Sequence, residues 1–320
     1  MSIDAPAAST GSSINKREGG MMSISLRTRF WRSAIRRVFK ESGLSIPAER
    51  LRSNKNSRFH VPFPKNIGIE AFDIDGMPAV SIRPPEALER RVILHLHGGG
   101  YVTGSIAAYL MLCVPMSRAM GMRIVLPEYR LAPEHVFPAA LDDGLKAFRW
   151  LRTQGYEASD IILSGDSAGG GLCLATVLAL RDAGEALPGA VLCLSPWADL
   201  TNASDSHASN ASTEILLKTE MLDLWARHYA GDDGLSNPLV SPVFADFKDF
   251  PALFIQVASG EVLLDDSLAL QKAALLAGVD VELRIWDDLW HVWPVLGDLI
   301  PESRLAFNEM KRFLGERFKN

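Results

Sequence analysis

The sequence predicts an α/β fold, a mostly parallel central sheet with helices on both faces. Two features point to it. Short apolar runs, each long enough for one buried strand, alternate with stretches of helical period over most of the chain. The 320 residues, 48% hydrophobic and 22% charged, have an ordinary globular composition and room for a sizeable core.

In chain order, the first twenty residues are rich in Ala, Ser and Gly and lack the apolar stretch of a secretory signal. Residues 1–23 therefore read as a disordered tail, and Met21 and Met22 leave a later start open. Within residues 24–58, Phe30, Ala34 and Val38 recur at i+4, as do Trp31, Ile35 and Phe39. They make one apolar helical stripe bordered by Arg29, Arg32, Arg36, Arg37 and Lys40. A helix packed on its own protein explains this without lipid; a basic helix lying on an anionic membrane surface is the second reading. Next, runs at 67–72 and 79–82 flank Asp75-Gly76, a hairpin turn signal. Strands follow at Val92–Leu96, 124–126, 161–163, Ala190–Leu194, 252–257 and Val281–Trp286, with helices at 139–152, 170–182, 266–277 and 302–318. Residues 200–240 break the pattern: Ser, Asn and Asp dominate, no strand appears, and one helix near 220–229 carries Met221, Leu222 and Trp225. They read as an insertion into a domain spanning 59–320, and no internal repeat is present.

The net charge of −5 is too mild for a nucleic-acid footprint, although Lys16 to Arg58 carry a local +9. No apolar run approaches the ~20 residues a membrane helix needs, so stable insertion is not expected. Cys113, Cys173 and Cys193 are odd in number, far apart and set among apolar residues. That usage suits buried thiols in a reducing compartment, hence the cytoplasm, and neither a disulfide framework nor a metal site.

Gly165-Asp166-Ser167-Ala168-Gly169 follows a strand and opens a helix, the context in which G-x-S-x-G exposes a serine nucleophile on a sharp turn. The strand Val92–Leu96 runs into His97-Gly98-Gly99-Gly100-Tyr101, where glycines leave backbone N–H groups free to approach the oxyanion that acyl transfer generates. Neither phosphate-loop pattern is present there. His95 and His97 have no spaced carboxylate or further His nearby to complete a metal site. A serine nucleophile needs a base, and the base an orienting acid. Of seven His, His291 lies in a loop directly after a late strand, and Glu261 similarly follows strand 252–257. Such loops lie at the carboxyl edge of an open α/β sheet, and Ser167, Glu261, His291 is the chain order of the α/β-hydrolase triad. Asp265 competes with Glu261 for the acid, but Asp265 and Asp266 precede a helical run and read as caps of its first turn.

With Tyr129-Arg130-Leu131-Ala132-Pro133-Glu134, Ser195-Pro196-Trp197-Ala198-Asp199-Leu200 and His291-Val292-Trp293-Pro294, these motifs make the chain from Val92 onward resemble the hormone-sensitive-lipase-like branch of the α/β-hydrolases, bacterial carboxylesterases with an HGGG loop. The resemblance implies Gly99, Gly100 and Ala168 as oxyanion donors, and a helical cap over Ser167 made from the N-terminal helices and the 200–240 insertion. It points to short acyl chains, with Tyr101, Leu216, Leu217, Met221 and Trp225 as candidate pocket residues; the last four also read as cap core. Two departures stand out: Glu128 where the family more often has Asp, and Glu261-Val262-Leu263-Leu264-Asp265 in place of Asp-Pro-Leu-x-Asp.

The expectation is a serine carboxylesterase acting on a small-molecule ester through an acyl-enzyme, with no metal or nucleotide cofactor. A lactonase or acetyl deacetylase would use the same machinery. A small-ligand receptor is the rival outside enzymes, although the plant receptors that resemble this family lack the histidine present here as His291. A homodimer is left open.

Overall fold

A computed structural model describes residues 24–39, 45–56, 63–88 and 90–318. The tail expected over 1–23 and the choice of start codon lie outside these residues. The first helices are α1 (Leu26–Val38) and α2 (Ile46–Asn56), followed by the hairpin β1 (Gly68–Ile74) and β2 (Met77–Arg83). Asp75 and Gly76 both have positive φ, 48° and 87°, as a tight primed hairpin turn requires. The alternating part is β3 (Val92–Leu96), α3 (Ile106–Met120), β4 (Arg123–Pro127), α4 (Ala139–Thr153), β5 (Ile161–Asp166), α5 (Ala168–Asp182) and β6 (Ala190–Leu194). After the short α6 (Ser206–Ser209) and α7 (Thr219–Ala230) come β7 (Ala252–Ala258), α8 (Leu264–Leu276), β8 (Val281–Trp286) and α9 (Pro301–Arg317).

The eight strands form one sheet in the order β1-β2-β4-β3-β5-β6-β7-β8. From β4 to β8 every pairing is parallel; β1 with β2 and β2 with β4 are antiparallel. Strand residues alternate between two cores. Leu94, Leu163, Cys193 and Ile255 pack with α4, α5 and α8, and Ile93, Ile162, Leu192 and Phe254 pack with α3 and α9. The three cysteines are buried and free. The parallel strands all run the same way, so the loops after β3, β5, β6, β7 and β8 meet at one edge.

Four features differ from expectation. No helix is expected over α3, because its apolar residues run round the whole helix and leave no 3.6-residue stripe, and Pro115 reads as a breaker. Residues 200–240, expected to hold one helix, contain α6 as well as α7. The single apolar stripe of α1 divides: Trp31 and Ile35 pack beside Leu289 and Trp290, whereas Phe30 and Val38 face outward at 65% and 62% exposure. Asp265 and Asp266 do not cap α8, whose N-terminus has no side-chain cap. Their carboxylates accept N–H groups of other segments, Asp265 from Ser206 (2.8 Å) and Asp266 from Ala198 and Asp199 (2.8 and 2.9 Å). Among the described residues, no helix is long and apolar enough to cross a membrane.

Candidate active site

A strained turn at the sheet edge lies between β5 and α5. Ser167 takes φ 51°, ψ −125°, a conformation that costs a non-glycine residue on the order of 1–3 kcal/mol and persists only where its surroundings enforce it. They do so through backbone: Ser167 N donates to Leu194 O (2.9 Å), and Ser167 O accepts from Gly170 N (3.0 Å) and Trp197 N (2.9 Å). A Cβ at Gly169 would strike the carbonyl oxygen of Leu96, so the small residues around Ser167 let α5 start directly against β3. Ser167 is left 6% exposed.

Beyond β3, the glycine loop is fixed from below. Gly98 N donates to Asp166 Oδ1 (3.1 Å), and Tyr109 donates its hydroxyl proton to Asp166 Oδ2 (2.8 Å). The His97 ring stacks on Tyr129, whose hydroxyl donates to His97 O (2.6 Å); burial pushes the His97 pKa down to about 4, so this ring is neutral. His95 Nδ1 pairs with Ser164 Oγ (3.2 Å), and its Nε2 lies 3.3 Å from Asp166 Oδ1 without hydrogen-bond geometry. Gly99, at φ 114°, directs its carbonyl to Val102 and Thr103 N–H groups. Among the described residues, the N–H groups of Gly99, Gly100 and Ala168 donate to no protein acceptor.

The other two triad candidates meet after β7 and β8. His291 Nδ1 lies 2.7 Å from Glu261 Oε2, and both side chains are buried. Glu261 Oε1 accepts from Ala258 N (2.6 Å) and Ser195 Oγ (2.7 Å), while Ser195 Oγ accepts from Val292 N (3.2 Å). Burial disfavours a charged His291, but the Glu261 hydrogen bond and the charges of Glu261, Glu214 and Asp166 outweigh it and raise the imidazole pKa above its ordinary value. No hydrogen bond joins Ser167 Oγ to the imidazole among the described residues; such contacts often tighten only when substrate binds.

Of the candidate pocket residues, Tyr101 is buried with its ring stacked on Tyr229 (3.6 Å between centroids), and Trp225 packs its ring against Gly100. Met221 joins the main core, and Leu216 borders the cluster of Leu289 and Trp290. Leu217 packs at the rim of the main core. Glu128 Oε2 accepts the Ile106 N–H (2.8 Å) at the start of α3, a scaffolding task.

Sequence reasoning assigned no task to Ser195, Asp166 or Glu214. Ser195 directly follows β6 at the same edge, and that position was its available signal. Glu214 lies in the polar stretch 200–240, where nothing local distinguishes it.

Comparison with known proteins matches residues 93–295 to a model described as the α/β-hydrolase fold. The chain belongs to that family. An acetyl-hydrolase of Streptomyces hygroscopicus is 42% identical over 230 residues, covering 72% of this chain and 77% of that one. An esterase of Acinetobacter venetianus is 33% identical over 254 residues, 78% of this chain and 84% of that one. A crystal structure of an esterase from the bacterial hormone-sensitive lipase family superposes with a TM-score of 0.88 at 38% identity, covering 92% of this chain and 99% of that one. The chain is an ester hydrolase of this hormone-sensitive-lipase-like branch.

Proposed function

We propose that the protein is a serine carboxylesterase for short acyl esters, working through an acyl-enzyme with Ser167, His291 and Glu261. The observation that carries the reading is the buried 2.7 Å contact from His291 Nδ1 to Glu261, on the same sheet edge as the strained Ser167. Ser167 Oγ attacks the ester carbonyl as His291 Nε2 takes its proton, and Glu261 holds the Nδ1–H tautomer and balances the imidazolium. The N–H groups of Gly99, Gly100 and Ala168 receive the oxyanion. Collapse of the tetrahedral intermediate passes the proton from Nε2 to the leaving alcohol, and water repeats the attack to free the acid and regenerate Ser167.

Trp225 closing on Gly100 supports a short acyl side, as does the acetyl-hydrolase name of the Streptomyces relative. That name also keeps acetyl amides in view as substrates for the same residues. In this reading α1, α2 and residues 200–240 are the cap. Arg50 of α2 supports the grouping, because its guanidinium donates to Val102 O (2.7 Å) and Ala132 O (2.8 Å) beside the glycine loop.

The test is Ser167→Ala with an activated acetyl ester. The folded variant loses the acylation burst shown by the parent protein. A burst that persists excludes Ser167 as the nucleophile.

A further inference from the structure

The loop that carries Glu261 is held from outside by the insertion. Asn210 Nδ2 donates to Ser259 O (3.1 Å) and Glu261 O (2.7 Å). Thr213 Oγ1 shares its one proton between Gly260 O (2.9 Å) and Asn210 O (3.0 Å). Glu214 Oε2 accepts the Val262 N–H (3.4 Å), and Ser206 Oγ donates to Val262 O (2.5 Å) while accepting from Asp265 N (3.2 Å). Each residue of the run 259–262 therefore has a backbone group bonded to a side chain from 206–214. The approach is close enough that a Cβ on Gly260 would lie 3.3 Å from the Thr213 Cβ.

This density of contacts falls on the residue with the most demanding position. A glutamate carries its carboxylate one methylene farther from the backbone than aspartate does, so a small shift of the chain at Glu261 moves Oε2 away from His291. Misplacement of a catalytic group by about 1 Å costs on the order of 10²-fold in rate. We propose that Asn210 to Glu214 form a strap by which the cap insertion positions the triad acid, with Asn210, Thr213 and Glu214 as positioning residues. The proposal rests on reading Glu261 as that acid.

The Glu214 carboxyl group is itself fixed: its Oε1 accepts from Ile215 and Leu216 N–H groups (both 2.8 Å), and burial raises its pKa above the ordinary glutamate value. The groups facing His291 are Glu261 from the loop after β7, Glu214 from the strap and Asp166 from the end of β5; all three favour its protonated form.

A double-mutant cycle on the full chain separates positioning from general stability. Asn210→Ala lowers kcat by on the order of 10–100-fold with KM little changed, and Thr213→Val, nearly isosteric, lowers it less in the same direction. Both lose their effect when Glu261 is already Gln, because the strap then has no carboxylate to aim. Equal fold-losses in the two backgrounds overturn the strap and leave the triad standing. Full activity of Glu261→Gln alone overturns the triad assignment and the strap with it. Glu214→Ala, which removes the acceptor of the Val262 N–H, lowers kcat in the same direction and loses its effect in the Glu261→Gln background; equal losses in both backgrounds overturn the role of Glu214.

Discussion

The serine turn and the acid loop lie on one sheet edge but are held in different ways. At Ser167 the constraint is made of backbone: Ser167 alone separates β5 from α5, its N–H and C=O bond to Leu194 and Trp197, and the neighbouring glycines let strand and helix meet closely. At Glu261 a local backbone bond from Ala258 N is joined by distant side chains, Asn210, Thr213 and Glu214 from residues 200–240 and Ser195 from the end of β6. A backbone lock is lost when a Cβ is added, and a side-chain lock when a hydrogen-bonding atom is removed.

The largest expected effect is on the acid side. Glu261→Gln lowers kcat by roughly 10⁴-fold, since the amide neither balances the imidazolium nor enforces its tautomer. Asp265→Asn instead costs stability, on the order of 1 kcal/mol for one hydrogen bond to Ser206 N, with turnover nearly kept. Steady-state kinetics beside urea melts separates the two; collapse of turnover in the Asp265 variant alone moves the acid to Asp265. On the serine side, Gly169→Ala sets a methyl against the Leu96 carbonyl, costs about 1–3 kcal/mol or more and displaces Ser167, the proposed nucleophile. Wild-type stability and activity in that variant, read by melting and acylation kinetics, would break the contrast.

Two pH predictions sharpen it. In the proposed mechanism acylation needs neutral His291, whose pKa is raised, so the acylation rate climbs through a midpoint above the ordinary imidazole value of about 6.5. A midpoint below that value contradicts the charge environment described. Asp266 bears on stability. Burial pushes its pKa up to about 8, although it accepts two backbone N–H groups. Its protonated form is favoured in the native state, so its stabilising contribution is complete below the unfolded carboxyl value near 4 and is lost as pH rises to about 8. Asp266→Asn therefore has a Tm that falls less between pH 5 and 9 than the parent protein's; parallel curves rule this out.

The same contrast explains what the sequence makes legible. Ser167, the glycine loop and the strand ends are visible because their chemistry needs a contiguous pattern, a strand followed by small residues. All eight strands were expected within a few residues of their ends, since apolar runs bounded by polar turns reflect burial directly. Helix α3 escaped because it is apolar on every side, and the strap escaped because its residues are ordinary polar side chains whose partners lie about fifty positions away. Asp265 and Asp266 show the opposite error: position before a helix suggests capping, whereas the fold directs both carboxylates at other segments.

The most direct measurement is to mix the protein with an activated acetyl ester, quench within the burst and map the acetyl group by mass spectrometry. The mechanism predicts one acetyl group on Ser167 in the parent protein, formed far more slowly in Glu261→Gln. Turnover with Ser167 unmodified, or an acetyl group formed on another residue at the rate of the burst, would contradict it.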